Sequence, residues 1–143
     1  MNIIDEVEQF KRDLRSYDYR RKKIEQIEAE LRYIAIKMQG VSSPNFSRIP
    51  GTPKVSQAKS ESWYSLMEKE DRLVKRKADL EREIRFVDEV LDRMDEGDAD
   101  IIKRLYIERE TAEEIADTVY YSKRTIYNRV RSAIKSALNA MTS

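Results

Sequence analysis

Residues that break helices are rare in this chain, and most of them lie in one short stretch. The 143 residues include only three glycines and three prolines. All three prolines and two of the glycines lie between Gly40 and Pro53. Because glycine and proline oppose helix formation most strongly, long helices can form on both sides of this stretch. The sequence therefore predicts an all-α fold, with two long helices that form a coiled-coil-like stalk and a C-terminal three-helix head.

The first long helix is predicted over residues 2–39. Its apolar residues recur at spacings of three and four, which places them along one narrow stripe. The stripe consists of Val7, Phe10, Leu14 and Tyr17, followed by Ile24, Ile27, Leu31, Ile34 and Met38. The register slips by one residue near Arg21, so a perfectly continuous coiled coil is not expected.

A second long helix is predicted from about Ser60 to Met94, with Gly97 as its stop signal. One column of this helix is apolar at every seventh position and consists of Leu66, Leu73, Leu80, Val87 and Met94. Two amphipathic helices bury only a thin core between them. We therefore expect a homodimer through the long helices, and the pattern leaves open whether they pair within one chain or between chains.

The stretch between the long helices, residues 40–59, is expected to be a linker because it is too long for a simple turn. A plain connector is the favoured interpretation. The alternative is a basic arm that contacts DNA or a partner. It rests on the presence of basic residues without any acidic residue in this stretch, and on Phe46 and Ile49, which a pure spacer would leave exposed at a cost.

The last third of the chain has the pattern of a helix-turn-helix. Thr111 can cap a first helix by accepting a backbone N–H bond, and Glu114 completes a capping box three residues later. Ser122 can cap a second helix, which continues without glycine or proline to about Asn139. A lone short helix is not held in place on DNA, whereas a second helix packed across it fixes its position.

A shorter helix is expected to support this motif from behind. Its predicted N-cap is Asp98 or Asp100, and it continues to about Ile107. The chain is therefore predicted to divide into a helical stalk, residues 1–96, and a helix-turn-helix head, residues 97–143.

The second helix of the motif is predicted to have an apolar inner face and a basic outer face. At about 100° per residue, the inner face groups Ile126, Val130, Ala133, Ile134 and Ala137. Between Val119 and Ser143 there are five basic residues and no acidic residue, whereas the rest of the chain mixes both signs. Since the chain has a net charge of only +1, this local basic face is the part that favours binding to double-stranded DNA.

The candidate DNA-contacting residues are Ser122, Lys123, Arg124, Thr125, Tyr127, Asn128, Arg131 and Lys135. Arg124 can bind O6 and N7 of guanine, and Asn128 can bind the corresponding edge of adenine. Thr125 can contact a base or a thymine methyl group. These side chains would read sequence from the major groove.

The other candidates are expected to position the protein by contacting phosphates. Lys123, Arg131 and Lys135 would neutralise phosphate charge, and Ser122 with the helix N-terminus can also hold a phosphate. Tyr127 lies at the border of the two faces, so a core-edge role and a DNA-backbone role are both open. Arg129 is expected near the inner boundary, where it can either snorkel toward solvent or pair with an acidic residue of the first motif helix.

Composition argues against several other functions. The chain has no cysteine and no histidine, which removes thiolate zinc sites, the commonest general base and the commonest zinc ligand. Neither a glycine-rich phosphate loop nor a nucleophile elbow is present. We expect no cofactor, no bound metal and no enzymatic activity. The absence of a transmembrane run or signal peptide predicts a cytoplasmic protein without a membrane partner.

The head resembles the fourth-region DNA-binding module of bacterial sigma factors. The resemblance rests on an Ile-Leu-Tyr helix, Thr-x-Glu-Glu-Ile-Ala from Thr111, and Ser-Lys-Arg-Thr-Ile-Tyr-Asn-Arg from Ser122. In such heads the turn usually has an apolar-Gly-apolar sequence, whereas here it is Val119-Tyr120-Tyr121. If Tyr120 takes the glycine position, it is expected at positive φ, which is uncommon for a bulky residue. The alternative is a turn of another shape.

The order of elements along the whole chain is similar to the ArpU and RinA families of small phage and prophage transcriptional regulators in Gram-positive bacteria. The similarity includes the break between the long helices, with Arg48-Ile-Pro-Gly51. The resemblance implies activation of late phage genes, contact with RNA polymerase, and DNA reading by Ser122 through Lys135.

Two other functions fit the same pattern. Small terminase subunits of phage DNA-packaging machines also join a helix-turn-helix to an oligomerising helical part, and assembly into a ring would favour that function. The second alternative is a coiled-coil interaction protein whose head binds protein. Salt-insensitive behaviour with no DNA affinity would favour it, because a DNA-binding head loses affinity steeply as salt rises.

Overall fold

The computed structural model describes the backbone of residues 3–40 and 53–142, and the side chains of residues 3–40 and 63–142. Regular secondary structure in these ranges is entirely helical, which confirms the predicted all-α fold. The helices are α1 (Ile3–Arg15), α2 (Tyr17–Gln39), α3 (Pro53–Asp92), α4 (Glu96–Ile102), α5 (Ala112–Val119) and α6 (Lys123–Thr142). A π-helical turn, Lys103–Ile107, continues α4.

The first predicted helix is interrupted at Ser16, which separates α1 from α2. The Ser16 hydroxyl donates to the carbonyl of Arg12 at 3.0 Å and to that of Asp13 at 3.3 Å. A serine that bonds back to the preceding turn often bends a helix. The expectation of one helix over residues 2–39 was therefore wrong at this residue.

Helix α3 begins at Pro53, seven residues before the predicted start at Ser60. Proline suits the first position of a helix because its fixed φ matches the helix and its missing N–H has no partner there in any case. Residues 53–59 were expected in the linker and are instead helical. The basic arm that the sequence offers as an alternative falls mainly on residues 41–52, outside the described residues.

The connection between α3 and α4 also differs from expectation. Two tight backbone bonds end α3, from the N–H of Arg93 to the carbonyl of Val90 at 3.2 Å and from Met94 to Leu91 at 3.1 Å. Asp95 takes the N-cap position of α4, without a side-chain cap bond. Gly97, predicted as the helix stop, instead lies in the first turn of α4. The next helical stretch continues through Ile107 as predicted, with the π-helical turn as its last part.

One compact unit combines residues 1–21 with residues 82–143. Its buried core takes apolar side chains from α1, the end of α3, α4 with its π-helical turn, α5 and α6. The largest fully buried members of this core are Phe10, Leu14, Val87, Val90, Ile102, Ile115, Ile126, Val130 and Ile134. Helix α1 contacts both α6 and the π-helical turn. The predicted head, residues 97–143, is therefore completed by segments far away in sequence.

Polar contacts hold the start of α2 against the end of α3 in this unit. The hydroxyl of Tyr17 donates to a carboxylate oxygen of Asp88 at 2.8 Å, and Nε of Arg20 lies 2.9 Å from Oε2 of Glu83. The later residue of α2, Arg20, contacts the earlier residue of α3, Glu83, so the two segments are antiparallel. Burial, reinforced by the bond to Asp88, raises the pKa of Tyr17 to about 12.

The second compact unit comprises residues 22–81. Here Nζ of Lys77 in α3 lies 3.3 Å from Oε2 of Glu28 in α2. Ile27, Ile34 and Leu80, which belong to the predicted apolar stripes, are fully buried. The two long helices therefore contact each other within one chain in this unit.

Candidate nucleic-acid interface

Helices α5 and α6 lie where the sequence predicts the two motif helices, with a short turn between them, and both predicted caps are present. Thr111 accepts the backbone N–H of Glu114 at 3.1 Å, and its hydroxyl donates to the Glu114 carboxylate at 3.1 Å. Ser122 accepts the N–H of Thr125 at 3.1 Å. Ile115 and Ile126, one from each helix, are fully buried in the core. Each of the two helices thus begins at a side-chain N-cap, and apolar contacts in the core hold the helices together.

The turn between α5 and α6 is made by Tyr120 in the left-handed region. Its φ is 62° and its ψ is 31°, and its N–H bonds to the carbonyl of Ala116. Of the two turn shapes that the sequence left open, the structure has the one with Tyr120 at positive φ. The Tyr120 side chain is 92% exposed, so packing within the chain does not offset the free-energy cost of the left-handed backbone conformation.

The next residue, Tyr121, is fixed from α6 and α4. The guanidinium carbon of Arg129 lies 4.9 Å from the centre of the Tyr121 ring, and Nε of Arg129 donates to Asp98 at 3.1 Å. The bond to Asp98 raises the pKa of Arg129. The predicted pairing of Arg129 with an acidic residue of the first motif helix is wrong, because the partner lies at the start of α4. Arg129 therefore helps to hold the turn in place.

A second group of polar contacts joins the π-helical turn to both ends of α5. Arg104 donates from Nε and Nη2 to the two carboxylate oxygens of Glu110, each at 2.9 Å, and from Nη1 to Thr118 at 2.8 Å. These bonds hold the pKa of Glu110 below its ordinary value. Sequence reasoning missed this group because its members are six and fourteen residues apart, which no helical spacing brings together.

Four predicted contact residues share one exposed face of α6. Arg124, Asn128, Arg131 and Lys135 are all exposed and fall within about 60° of one another around the helix axis, at about 100° per residue. Among the described side chains, the three basic members have no carboxylate within ion-pair distance. We call these four residues the outer face of α6. Its positive charges are available to an external anion.

The predicted inner face of α6 is largely confirmed. Ile126, Val130, Ile134 and Ala137 are buried, Ala133 is half-buried, and Leu138 is a further buried member that was not predicted. This packing turns the outer face toward solvent.

Ser122 and Thr125 lie together at the start of α6. The Ser122 hydroxyl donates to the Thr125 hydroxyl oxygen at 2.9 Å, and Thr125 is half-buried. The first backbone N–H groups of a helix have no partner within the helix, and such groups can bind an anion.

Lys123 has an internal partner that the sequence did not indicate. Its Nζ lies 2.6 Å from Oε1 of Glu113 in α5. The contact raises the pKa of Lys123 and lowers that of Glu113. Both side chains remain more than half exposed, so Lys123 is tied to α5 at the surface and not withdrawn from it.

Two predicted phosphate contacts lie beside an unexpected neighbour. Arg131 and Lys135 line a small cleft together with Ile3, Ile4, Val7 and Glu8 of α1. The sequence did not predict that α1 packs along α6. Tyr127 is half exposed, as a position at the border of the two faces requires, so its two possible roles both stay open.

Comparison with known proteins adds no relative: no family model, curated protein or solved structure matches the chain. Within residues 3–40 and 53–142, no helix is long and apolar enough to span a membrane. No acidic cluster suited to a metal ion occurs among the side chains that are described.

Proposed function

We propose that this protein binds double-stranded DNA in a sequence-specific manner and regulates transcription, acting by binding and not by catalysis. The observation that carries the proposal is the outer face of α6. It joins unpaired cations and an amide on one exposed side of a helix that a capped partner helix holds in place. A major groove of about 12 Å admits such a helix.

The first turns of α6 would read the bases. Arg124 and Asn128 are one helical turn apart and exposed, so both can reach base edges from the same groove. Arg124 would bind guanine and Asn128 adenine, with Thr125 beside them. These contacts set which sequence is preferred.

The rest of the outer face would contact the DNA backbone. Arg131 and Lys135 follow along the helix, where the groove wall replaces the base edges, and Ser122 with the N-terminus of α6 would hold a further phosphate. The ion pair with Glu113 already neutralises part of the charge of Lys123, so less of that charge is available to a phosphate. We therefore assign it a weaker contact than Arg131 or Lys135.

The direction of regulation and the setting follow from resemblance alone. The similarity of the head to sigma-factor modules, and of the element order to ArpU and RinA, supports an activator of late phage or prophage genes. Such an activator would bind DNA as a homodimer and contact RNA polymerase.

The proposal is tested by selecting genomic fragments with the purified full chain. Enrichment of one motif near promoters is the expected result, with an affinity that falls steeply as salt rises. Enrichment of a packaging-type site by a ring-sized oligomer would replace transcription with DNA packaging. Absence of any enriched motif at low salt would contradict sequence-specific DNA binding.

A further inference from the structure

In the unit of residues 22–81, α2 carries a second stripe of residues on the side away from its buried stripe. The stripe consists of Lys22, Gln26, Ala29, Tyr33 and Ile36, all of them exposed. Two of its members are large apolar side chains, Tyr33, which is 58% exposed, and Ile36, which is 67% exposed. The spacings of four and three are those of positions a and d in a coiled coil. We call this stripe the outer seam.

Charged residues flank the outer seam at the positions that pair across a coiled coil. Glu25 and Arg32 occupy one flank, and Lys23 and Glu30 occupy the other. None of the four has an ion-pair partner among the side chains that the structure describes. Among the described residues, these four charges are therefore available to pair with a partner along the seam.

We propose that the outer seam binds the outer seam of a second copy of this chain, with the two α2 helices antiparallel. In this register Gln26 lies opposite Ala29 of the partner subunit. Lys22 then lies opposite Tyr33 of the partner subunit. A two-fold axis passes between Gln26 and Ala29, so each contact occurs twice.

The flanking charges favour this register. Glu25 faces Arg32 of the partner subunit, and Lys23 faces Glu30 of the partner subunit. The two-fold axis repeats both pairs, so every charged pair along the seam joins opposite signs. Complementary charges at these positions set partner choice and orientation in coiled coils.

Other arrangements bring like charges together. A shift by one heptad in one direction places Glu30 against Glu30 of the partner subunit, and a shift in the other direction places Glu25 against Glu25 of the partner subunit. A parallel pair places Glu25 against Glu30 of the partner subunit. Like charges at these positions oppose association. The charge pattern therefore favours a second copy of this chain as the partner, bound in the antiparallel register.

A charge swap tests the register directly. Sedimentation equilibrium of the full chain at low salt, without DNA, would compare the wild type with Glu25→Arg, with Arg32→Glu and with the double variant. Each single reversal turns two attractive pairs into repulsive ones and should weaken the dimer by about tenfold. The double variant exchanges the charges and should restore dimerisation. Glu68→Arg, an equal change of charge on an exposed part of α3, should leave it unchanged.

Three outcomes would overturn the proposal: a wild type that stays monomeric, single reversals without effect, or a double variant no better than the singles. Circular dichroism of each variant excludes loss of folding as the reason. This proposal extends the homodimer of the proposed function. Its test reads assembly alone, so its failure would leave DNA binding by the head to be judged from fragment selection.

Discussion

At the scale of single residues, Tyr120 stands out because it adopts a backbone conformation that glycine prefers, while its side chain makes little contact with the rest of the chain. Its φ of 62° and its 92% exposure set it apart from Tyr121, which packs under Arg129. A left-handed conformation costs a bulky residue about 1 kcal/mol or more. The positive φ could be predicted because the related turn pattern has glycine at this position. The Arg129–Asp98 contact could not, since the two residues lie 31 positions apart.

Tyr120→Gly should raise the free energy of unfolding by about 0.5–1 kcal/mol, because glycine adopts the left-handed region without strain. Urea denaturation measures the change. Tyr121→Gly is the matched control in the same turn and should lower stability, since it removes the ring beneath Arg129. A loss of stability in the Tyr120 variant as well would contradict the assignment of strain.

Tyr17→Phe should lower the free energy of unfolding by about 1 kcal/mol at neutral pH, through loss of its bond to Asp88. The pKa of Tyr17 rises from 10.0 to about 12 on folding. Its contribution is therefore complete below pH 10 and is lost as the pH rises through 12.

Urea titrations of wild type and variant between neutral pH and pH 12 give the comparison. The stability difference between them should shrink over the range from pH 10 to pH 12. Tyr19→Phe, an exposed tyrosine on the same helix, serves as the control and should change little. A difference that stays constant with pH would refute the role of the Tyr17 hydroxyl.

At the scale of elements, the helices of the motif follow from local sequence. Cap residues and apolar periodicity act within one or two turns, so Thr111, Ser122 and the buried face of α6 could be predicted. The bend at Ser16 and the start of α3 at Pro53 could not. Serine is also common in unbent helices, and the helix start at Pro53 competes with the surrounding prolines and glycines that suggest a linker.

Ser122→Ala should cost about 1 kcal/mol, because the N–H of Thr125 loses its acceptor at the start of α6. Thermal unfolding followed by circular dichroism reports this loss. Ser136→Ala changes the same residue type at an exposed interior position of α6 and should not destabilise, since alanine is the better helix former. Equal effects of the two substitutions would argue against a capping role for Ser122.

At the scale of the whole chain, the head depends on residues that sequence reasoning assigned to the stalk. Leu14 and Phe10 of α1 are fully buried in the same core as Ile126 and Ile134 of α6. Arg109 donates to the carbonyl of Arg15 at 3.0 Å across 94 positions of sequence. Periodicity shows that a residue faces a core, but it does not show which distant element completes that core. The predicted division at residue 96 missed α1 for this reason.

Phe10→Ala should destabilise the head by about 3–5 kcal/mol, as expected for truncation of a fully buried aromatic residue. Its ring also meets that of Phe86 edge to face, with centres 6.2 Å apart. Urea unfolding followed by tyrosine fluorescence and circular dichroism measures the effect. Val74→Ala, at an exposed position on α3, should cost far less. A small effect of Phe10→Ala would mean that the head folds without α1.

The central claim is that the outer face of α6 reads DNA, and the most direct measurement is binding of a selected duplex and a scrambled duplex over a range of salt. Arg124→Ala should cost about 1–3 kcal/mol on the selected duplex and relax preference at one base pair. Lys135→Ala should weaken binding to both duplexes evenly and flatten the salt dependence. Arg72→Ala, an equal loss of charge at an exposed site on α3, should change neither. If the Arg124 and Lys135 variants bind both duplexes like the wild type, α6 does not read DNA through this face.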